Sequence, residues 1–270
     1  MTATPTIERA ARTASRTASQ ATRTASRATD AAAQAAQRQA LPTPVALARG
    51  RLANALALVS LAGFVGVFAA VRTHLSEAAD LAIMLKLQRQ ANPILDRLMA
   101  AVSWLGFPPQ SRIVPPALIG ALWLLRFRVE AAFQLLGWGT ALVSSVLKGI
   151  MRRPRPVAGK DLRVVAAPLG GSSFPSGHVI TYVGTYGFLA YLLHTLVRPV
   201  GPRRALVAAL AGLLALVGPS RIYQGHHWPT DVSASYLLGT SYLVGLIALY
   251  RNVKAAVGRS QTWPSRSPKS

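Results

Sequence analysis

The chain carries the run Leu52-Ala-Asn-Ala-Leu-Ala-Leu-Val-Ser-Leu-Ala-Gly-Phe-Val-Gly-Val-Phe-Ala-Ala-Val71, closed by Arg51 on one side and Arg72 on the other. Twenty residues pass without a charge. An α-helix rises about 1.5 Å per residue, so the run is about 30 Å long, the thickness of a bilayer's hydrocarbon core. Five further apolar blocks follow, at about residues 113–125, 131–150, 178–197, 205–218 and 232–250. The blocks at 113–125 and 205–218 fall short of the roughly 17 residues that a span needs. They must borrow flanking residues or lie partly at the interface. Six spans are expected, with five as the alternative, and the fold class is all-α.

Of 270 residues, 51% are hydrophobic and 14% are charged, so a disordered chain is excluded outside the ends. The absence of Cys excludes a disulfide scaffold, a Cys-ligated metal site and a thiol nucleophile. A net charge of +22 raises the question of nucleic acid. The cations are scattered over tails and interhelical loops, with no basic helix carrying interleaved aromatics, so no nucleic-acid partner is expected. They read instead as anchors of membrane segments.

Residues 1–51 form a basic low-complexity tail. Arg12-Thr13-Ala14-Ser15 recurs at Arg16-Thr17-Ala18-Ser19 and at Arg23-Thr24-Ala25-Ser26. With almost no large apolar side chains, this tail cannot offset its own chain entropy and is expected to be disordered. It shares the Arg- and Ser-rich, acid-poor composition of transit peptides, but it is not a secretory signal, because the first apolar run starts only after Arg51. The domain proper is expected at 52–250, followed by a second basic tail at 251–270.

Between the first two blocks, Leu81, Met84, Leu85, Ile94, Leu95, Leu98, Met99 and Val102 recur at helical spacing among Lys86, Arg89, Asp96 and Arg97. Asn92-Pro93 divides this stretch. It predicts one or two amphipathic helices lying along the membrane surface. Orientation follows from the Lys and Arg bias. With six spans and a cytoplasmic N-terminus, 18 cations fall inside and 12 outside. Both termini are then cytoplasmic, and the loops at 148–177 and 219–231 share the external side.

Three clusters at loop edges carry the candidate chemistry: Lys148-Gly-Ile-Met-Arg152-Arg153-Pro154-Arg155-Pro156, Ser173-Phe174-Pro175-Ser176-Gly177-His178, and Ser220-Arg221-Ile-Tyr-Gln-Gly-His226-His227-Trp-Pro-Thr-Asp231. Singly, each reads as a snorkelling anchor, a turn or an interfacial polar residue. On one face together they supply cations at Lys148, Arg155 and Arg221, donors at Ser176 and the Gly177 N–H, two imidazoles and a carboxylate. Phosphoryl transfer needs that inventory. Its equatorial oxygens require preorganised positive charge, a nucleophile must attack in line, and an acid must protonate the departing oxygen. A carboxylate four residues after a His can fix its tautomer on a helix. No carboxylate cluster able to hold a metal is visible, so no cofactor or metal is expected; activity should survive a chelator, and vanadate should inhibit.

Lys148-x6-Arg155-Pro156, Pro175-Ser176-Gly177-His178 and Ser220-Arg221-x5-His227-x3-Asp231 resemble the three-part signature of the type 2 phosphatidic acid phosphatase (PAP2) superfamily. The resemblance covers about residues 52–250. It implies an all-α polytopic membrane protein: a six-helix transmembrane bundle of the PAP2 type, with the amphipathic segment at the interface. It implies His227 as the nucleophile that forms a phosphohistidine, Asp231 as its orienting group, and His178 as the general acid. Lys148, Arg155, Ser176, Gly177 and Arg221 would hold the phosphate. His226 fits neither spacing and is left as an ordinary polar residue. Arg152, Arg153, Lys160 and Arg163 match no signature position and are read as attracting anionic headgroups by field alone; Asp161 reads as a loop charge. A neutral His227 and a protonated His178 imply a bell-shaped pH dependence.

The expected function is hydrolysis of a lipid phosphate or diphosphate at the external face of a bacterial-type plasma membrane, with phosphatidic acid, phosphatidylglycerol phosphate and undecaprenyl diphosphate as candidates. A haloperoxidase fits poorly, since that branch resembles large soluble proteins. A phosphotransferase sharing the phosphohistidine, or a non-catalytic lipid-binding or transport protein, are the alternatives. Oligomeric state is not readable. Gly184, Gly187, Gly239 and Gly245 are small enough to permit close helix contact, although each is also ordinary membrane-helix composition.

Overall fold

The structure, a computed structural model, describes Gln20 and residues 43–159, 162–165 and 170–261. The basic tail, apart from Gln20 and the residues from 43 on, lies outside the described residues, as do Lys160, Asp161 and residues 262–270. Two units are distinguished, Met1–Leu52 and Ala53–Ser270. The second holds the helical bundle and the site.

Every regular element among the described residues is helical. In chain order they are α1 (Thr43–Arg72), α2 (Glu77–Gln88), α3 (Pro93–Trp104), α4 (Gln110–Leu124), α5 (Arg128–Trp138), α6 (Thr140–Met151), α7 (Gly177–Leu196), α8 (Val200–Tyr223) and α9 (Pro229–Gln261). Four segments are long and apolar enough to cross a membrane: Gly50–Arg72, Gly177–Leu196, Val200–Tyr223 and Pro229–Val257. Two of the six expected spans look different. At 15 residues, α4 reaches only about 22 Å. The block at 131–150 is parted into α5 and α6 at Gly139, although the Gly139 N–H still donates to the Leu135 carbonyl at 2.9 Å. A tightened turn there, with the Leu142 N–H bonded to the Gly139 carbonyl at 3.0 Å, marks the joint.

The stretch at 77–104 is two helices because of one residue. The Asn92 side-chain oxygen accepts from the N–H groups of Ile94 and Leu95 at 3.1 and 2.9 Å, and Pro93 occupies the first turn of α3. An Asn cap followed by Pro starts a helix cleanly and forbids continuation from the preceding one. Helix α9 runs past Tyr250 to Gln261. Its extension is tied to the start of α5, where Glu130 receives Lys254 at 2.6 Å and the Tyr250 hydroxyl at 2.9 Å.

Helix α7 is the axis of the bundle and packs on α5, α6, α8 and α9. Val179, Ile180, Tyr182, Val183, Tyr186 and Phe188 are all buried along it. A helix apolar all round belongs in the middle. It approaches α5 closely at one point. A Cβ at Gly184 would lie 2.3 Å from the Gly137 carbonyl, and one at Gly137 would lie 2.6 Å from the Gly184 carbonyl. Only paired glycines permit that approach. Of the other glycines singled out in the sequence, Gly187 and Gly239 also sit against side chains of neighbouring helices, while Gly245 faces open space.

Gly184→Leu should therefore force α5 and α7 apart and cost about 1–3 kcal/mol, seen as a lowered thermal midpoint in detergent. Gly245→Leu is expected to leave that midpoint in place.

Candidate active site

The three sequence clusters meet at one end of the bundle, and backbone groups join them. The Pro154 carbonyl accepts from the Ser173 hydroxyl at 3.0 Å and from the Trp228 indole N–H at 3.0 Å, linking all three. The Ser176 N–H donates to the Asp231 carbonyl at 3.2 Å, and the Ser235 hydroxyl donates to the Ser176 carbonyl at 3.1 Å. Phe174 is fully buried against Phe64 and Phe68 of α1, which anchors the loop leading into α7.

The charges of Arg221, Lys148 and Arg155 act on His227, and the Asp231 carboxylate in turn acts on Lys148 and Arg155. Lys148 Nζ donates to the Ser172 carbonyl at 2.7 Å. Arg155 donates to the His226 carbonyl at 2.8 Å, to the Ser172 carbonyl at 3.2 Å and to His227 Nε2 at 3.3 Å. Arg221 is fully buried, gives one bond to Gln224 Oε1 at 2.9 Å and lies over the Phe107 ring at 4.8 Å. All these acceptors are neutral. The Nε atoms of Arg155 and Arg221, the Ser176 hydroxyl and His178 Nε2 are buried and have no partner. Ser176 precedes α7 as its N-cap residue but makes no side-chain cap bond. Its hydroxyl and the first N–H groups of α7, beginning at Gly177, therefore remain free at the positive end of a helix.

The two imidazoles are held differently. His227 Nδ1 lies 2.7 Å from the Ser173 carbonyl, which fixes the proton on Nδ1 and leaves the Nε2 lone pair facing Arg155. Burial, followed by the charges of Arg221, Lys148 and Arg155, holds the His227 pKa well below the usual histidine value. His178 packs edge-on against Phe107, 4.7 Å between ring centres, and Phe107 also meets His226 at 6.0 Å. That approach requires Gly106: a Cβ there would fall 2.0 Å from His178 Cδ2. The sequence offered no signal for this role.

Asp231 lies beside His227 but is bonded elsewhere. Its Oδ2 is 3.6 Å from His227 Nδ1, beyond hydrogen-bond range. The Trp228 N–H reaches Oδ2 at 2.9 Å, and Arg153 Nη1 reaches Oδ1 at 2.7 Å. The group that orients the Nδ1 proton is thus the Ser173 carbonyl. Arg153 also donates to Asp80 Oδ2 at 2.7 Å and to the Thr230 hydroxyl at 2.8 Å, while Asp80 caps α9 by accepting from the Thr230 N–H at 2.8 Å. Asp80 and Asp231 are both buried. Arg153 therefore does not act by field alone. It is the counter-ion between two buried carboxylates, one from α2 and one from α9. Asp80 was missed in the sequence, where it follows Glu77 in the first turn of α2 and reads as ordinary helix-start acid.

Arg163 likewise differs from its expected role. It pairs with Asp96 at 2.7 Å, and Tyr223 donates to the same carboxylate at 2.6 Å. Together with the Gln88 amide, bonded to the Arg163 carbonyl at 2.7 Å, this ties the loop before α7 to α2 and α3. Arg152 remains exposed at the end of α6. His226 is more than an ordinary polar residue: its Nε2 meets the Val165 carbonyl at 2.6 Å and its Nδ1 meets Arg221 Nη2. Burial and Arg221 push its pKa down to about 4, so the ring is neutral and Nδ1 accepts.

Arg153→Ala leaves two buried carboxylates without their shared cation. A loss of about 3–5 kcal/mol is expected, read as a large drop in thermal midpoint, whereas Arg152→Ala should be close to neutral.

The PAP2 superfamily profile matches residues 131–255. Phosphatidylglycerophosphatase B of Bacillus subtilis (strain 168) is 33% identical over 183 residues, 65% of this chain and 85% of that protein. The crystal structure of a transmembrane PAP2-type phosphatidylglycerolphosphate phosphatase from Bacillus subtilis superposes with a TM-score of 0.64 at 25% identity, covering 73% of this chain and 96% of that one. Asp80, outside the profile match, falls within the 53–270 unit that holds these motifs. With the signature residues gathered at one end of a membrane bundle, the chain belongs to the PAP2 superfamily and is a membrane phosphatase of that family.

Proposed function

We propose that this protein hydrolyses a lipid phosphate or diphosphate at the external face of the membrane through a phosphohistidine on His227. One observation carries the reading. Lys148, Arg155 and Arg221 surround His227 with only neutral acceptors, while four buried polar atoms nearby stand unpartnered. Buried positive charge left in this state is costly unless an anion completes it. A phosphoryl group does so with its three equatorial oxygens.

The reaction then runs in two displacements. The neutral Nε2 of His227 attacks phosphorus and the N–P bond forms as the P–O ester bond breaks. The ester's electron pair stays on the leaving oxygen, which takes a proton from His178 Nε2. Arg155, Arg221, Lys148, Ser176 and the Gly177 N–H stabilise the charge on the equatorial oxygens. A water molecule next loses its proton to His178 and attacks phosphorus, the N–P bond breaks, and phosphate leaves. The Ser173 carbonyl holds the Nδ1 side of the nucleophile. Because the three cations supply the electrophilic charge, the step asks for no metal.

The topology proposed has six crossings. Helix α4 and the joined pair α5–α6 add to the four long spans, and α2 and α3 lie at the external interface. What supports the external side is the excess of cations, 18 against 12, on the opposite face. A lipid substrate is supported by the position of the site at the end of the bundle and by the likeness to phosphatidylglycerophosphatase B.

His227→Ala should abolish phosphate release, and His178→Ala should accumulate an acid-labile phosphoenzyme, detected with a ³²P-labelled substrate after an alkaline quench. A fully active His227→Ala protein would falsify the covalent route. Because the His227 pKa is lowered, its nucleophilic neutral form persists into mild acid. The acid limb of kcat/KM should lie below pH 6.5, the ordinary histidine value. An acid limb above 7 contradicts this assignment. Activity should persist in chelator; its loss there and recovery with Mg²⁺ would count against a metal-independent mechanism.

A further inference from the structure

Arg221 is fully buried, and two side-chain hydrogen bonds hold its guanidinium. Nη1 donates to Gln224 Oε1 at 2.9 Å, and Nη2 donates to His226 Nδ1. Gln224 and His226 stand two residues apart, and Gly225 between them has a φ of +76°. A Cβ at Gly225 would fall 2.4 Å from the Arg163 carbonyl oxygen. The turn that brings both acceptors to one guanidinium therefore needs glycine twice over, for its φ and for its lack of a side chain.

His226 serves a second cation through its backbone. Its carbonyl accepts from Arg155 Nη1 at 2.8 Å, while its ring accepts from Arg221. One residue thus bonds to two guanidinium groups. Like charges this near repel, and a neutral group bonded to each fixes their separation without cancelling either charge. The ring accepts in one tautomer alone. His226 Nε2 lies 2.6 Å from the Val165 carbonyl, so Nε2 carries the proton and Nδ1 keeps its lone pair. Val165 is itself fixed. Its N–H donates to the Gln224 carbonyl at 2.9 Å. Two residues earlier, the Gln88 side chain bonds the N–H and the carbonyl of Arg163, at 3.0 and 2.7 Å. Phe107 packs on the same group: its ring stands edge-on to His226, and the Arg221 guanidinium lies 4.8 Å from its centre.

We propose that His226 is a positioning residue for the reaction: it holds Arg221 and Arg155 at a fixed separation for one bound phosphoryl group, as a neutral acceptor that leaves both charges to the anion. The inference rests on the phosphatase reading above, in which both arginines meet the equatorial oxygens. His226 fits neither signature spacing, so this role is additional to those of the signature residues. A carboxylate at this position would hold Arg221 as firmly but would compete with the anion for it.

Orthovanadate affinity in detergent, measured by isothermal titration calorimetry, tests this without turnover. His226→Leu removes the ring acceptor and keeps the backbone carbonyl; vanadate binding should weaken about tenfold, and kcat/KM for p-nitrophenyl phosphate should fall in parallel. His226→Asn offers Oδ1 near the place of Nδ1 and should recover binding to within about threefold of the wild type. His226→Asp also gives Arg221 a partner, so a role in stability alone would be met by it. Its carboxylate should nonetheless weaken vanadate binding about tenfold relative to His226→Asn. That comparison stands even if His226→Leu fails to fold. Wild-type affinity in His226→Leu or in His226→Asp overturns the proposal, and so does His226→Asn binding as weakly as His226→Leu. Failure of the underlying phosphatase reading looks different: the wild type would then neither bind vanadate nor release phosphate from a lipid phosphate.

Discussion

Three cations share one small volume in this protein, and the hydrogen bonds they give go to neutral groups. Lys148, Arg155 and Arg221 are each met by carbonyls, an amide or an imidazole. Like charges held this close raise the free energy of the folded chain, and burial away from water adds to it. The consequences extend to His227, whose pKa burial and these charges together hold well below the usual histidine value.

What holds the site against its own repulsion is a second layer built around Arg153. That residue takes up the two buried carboxylates, Asp80 and Asp231. The same layer fixes the start of α9 through Thr230, and the Pro154 carbonyl pins the indole of Trp228 and the hydroxyl of Ser173. The Ser173 carbonyl then sets the tautomer of His227. His227 and the ion pair at Asp231 are thus two ends of one continuous network.

Much of this was legible in the sequence, and the divide follows from the kind of interaction involved. Apolar block length announced the long helices, and Asn92-Pro93 announced the break between α2 and α3, because both are local effects. The phosphate-facing residues were legible because their side-chain chemistry is unusual for membrane segments. Backbone groups carry no residue identity, so the carbonyls of Ser173, Pro154 and Ser172 left no mark. Asp80 and Gly106 matter through partners 151 and 72 positions away, Asp231 and His178, and no local pattern reports that distance. The joint at Gly139 was hidden for another reason: a glycine within an apolar run reads equally well as a packing contact or as a bend.

The most direct measurement is a crystal structure of the protein with orthovanadate bound. Vanadium should bond to His227 Nε2, with His178 Nε2 facing the opposite apical oxygen and with Arg155, Arg221, Lys148 and the start of α7 on the equatorial oxygens. Vanadate bound away from His227, or held at this end of the bundle with His178 and Arg221 turned elsewhere, would contradict the account.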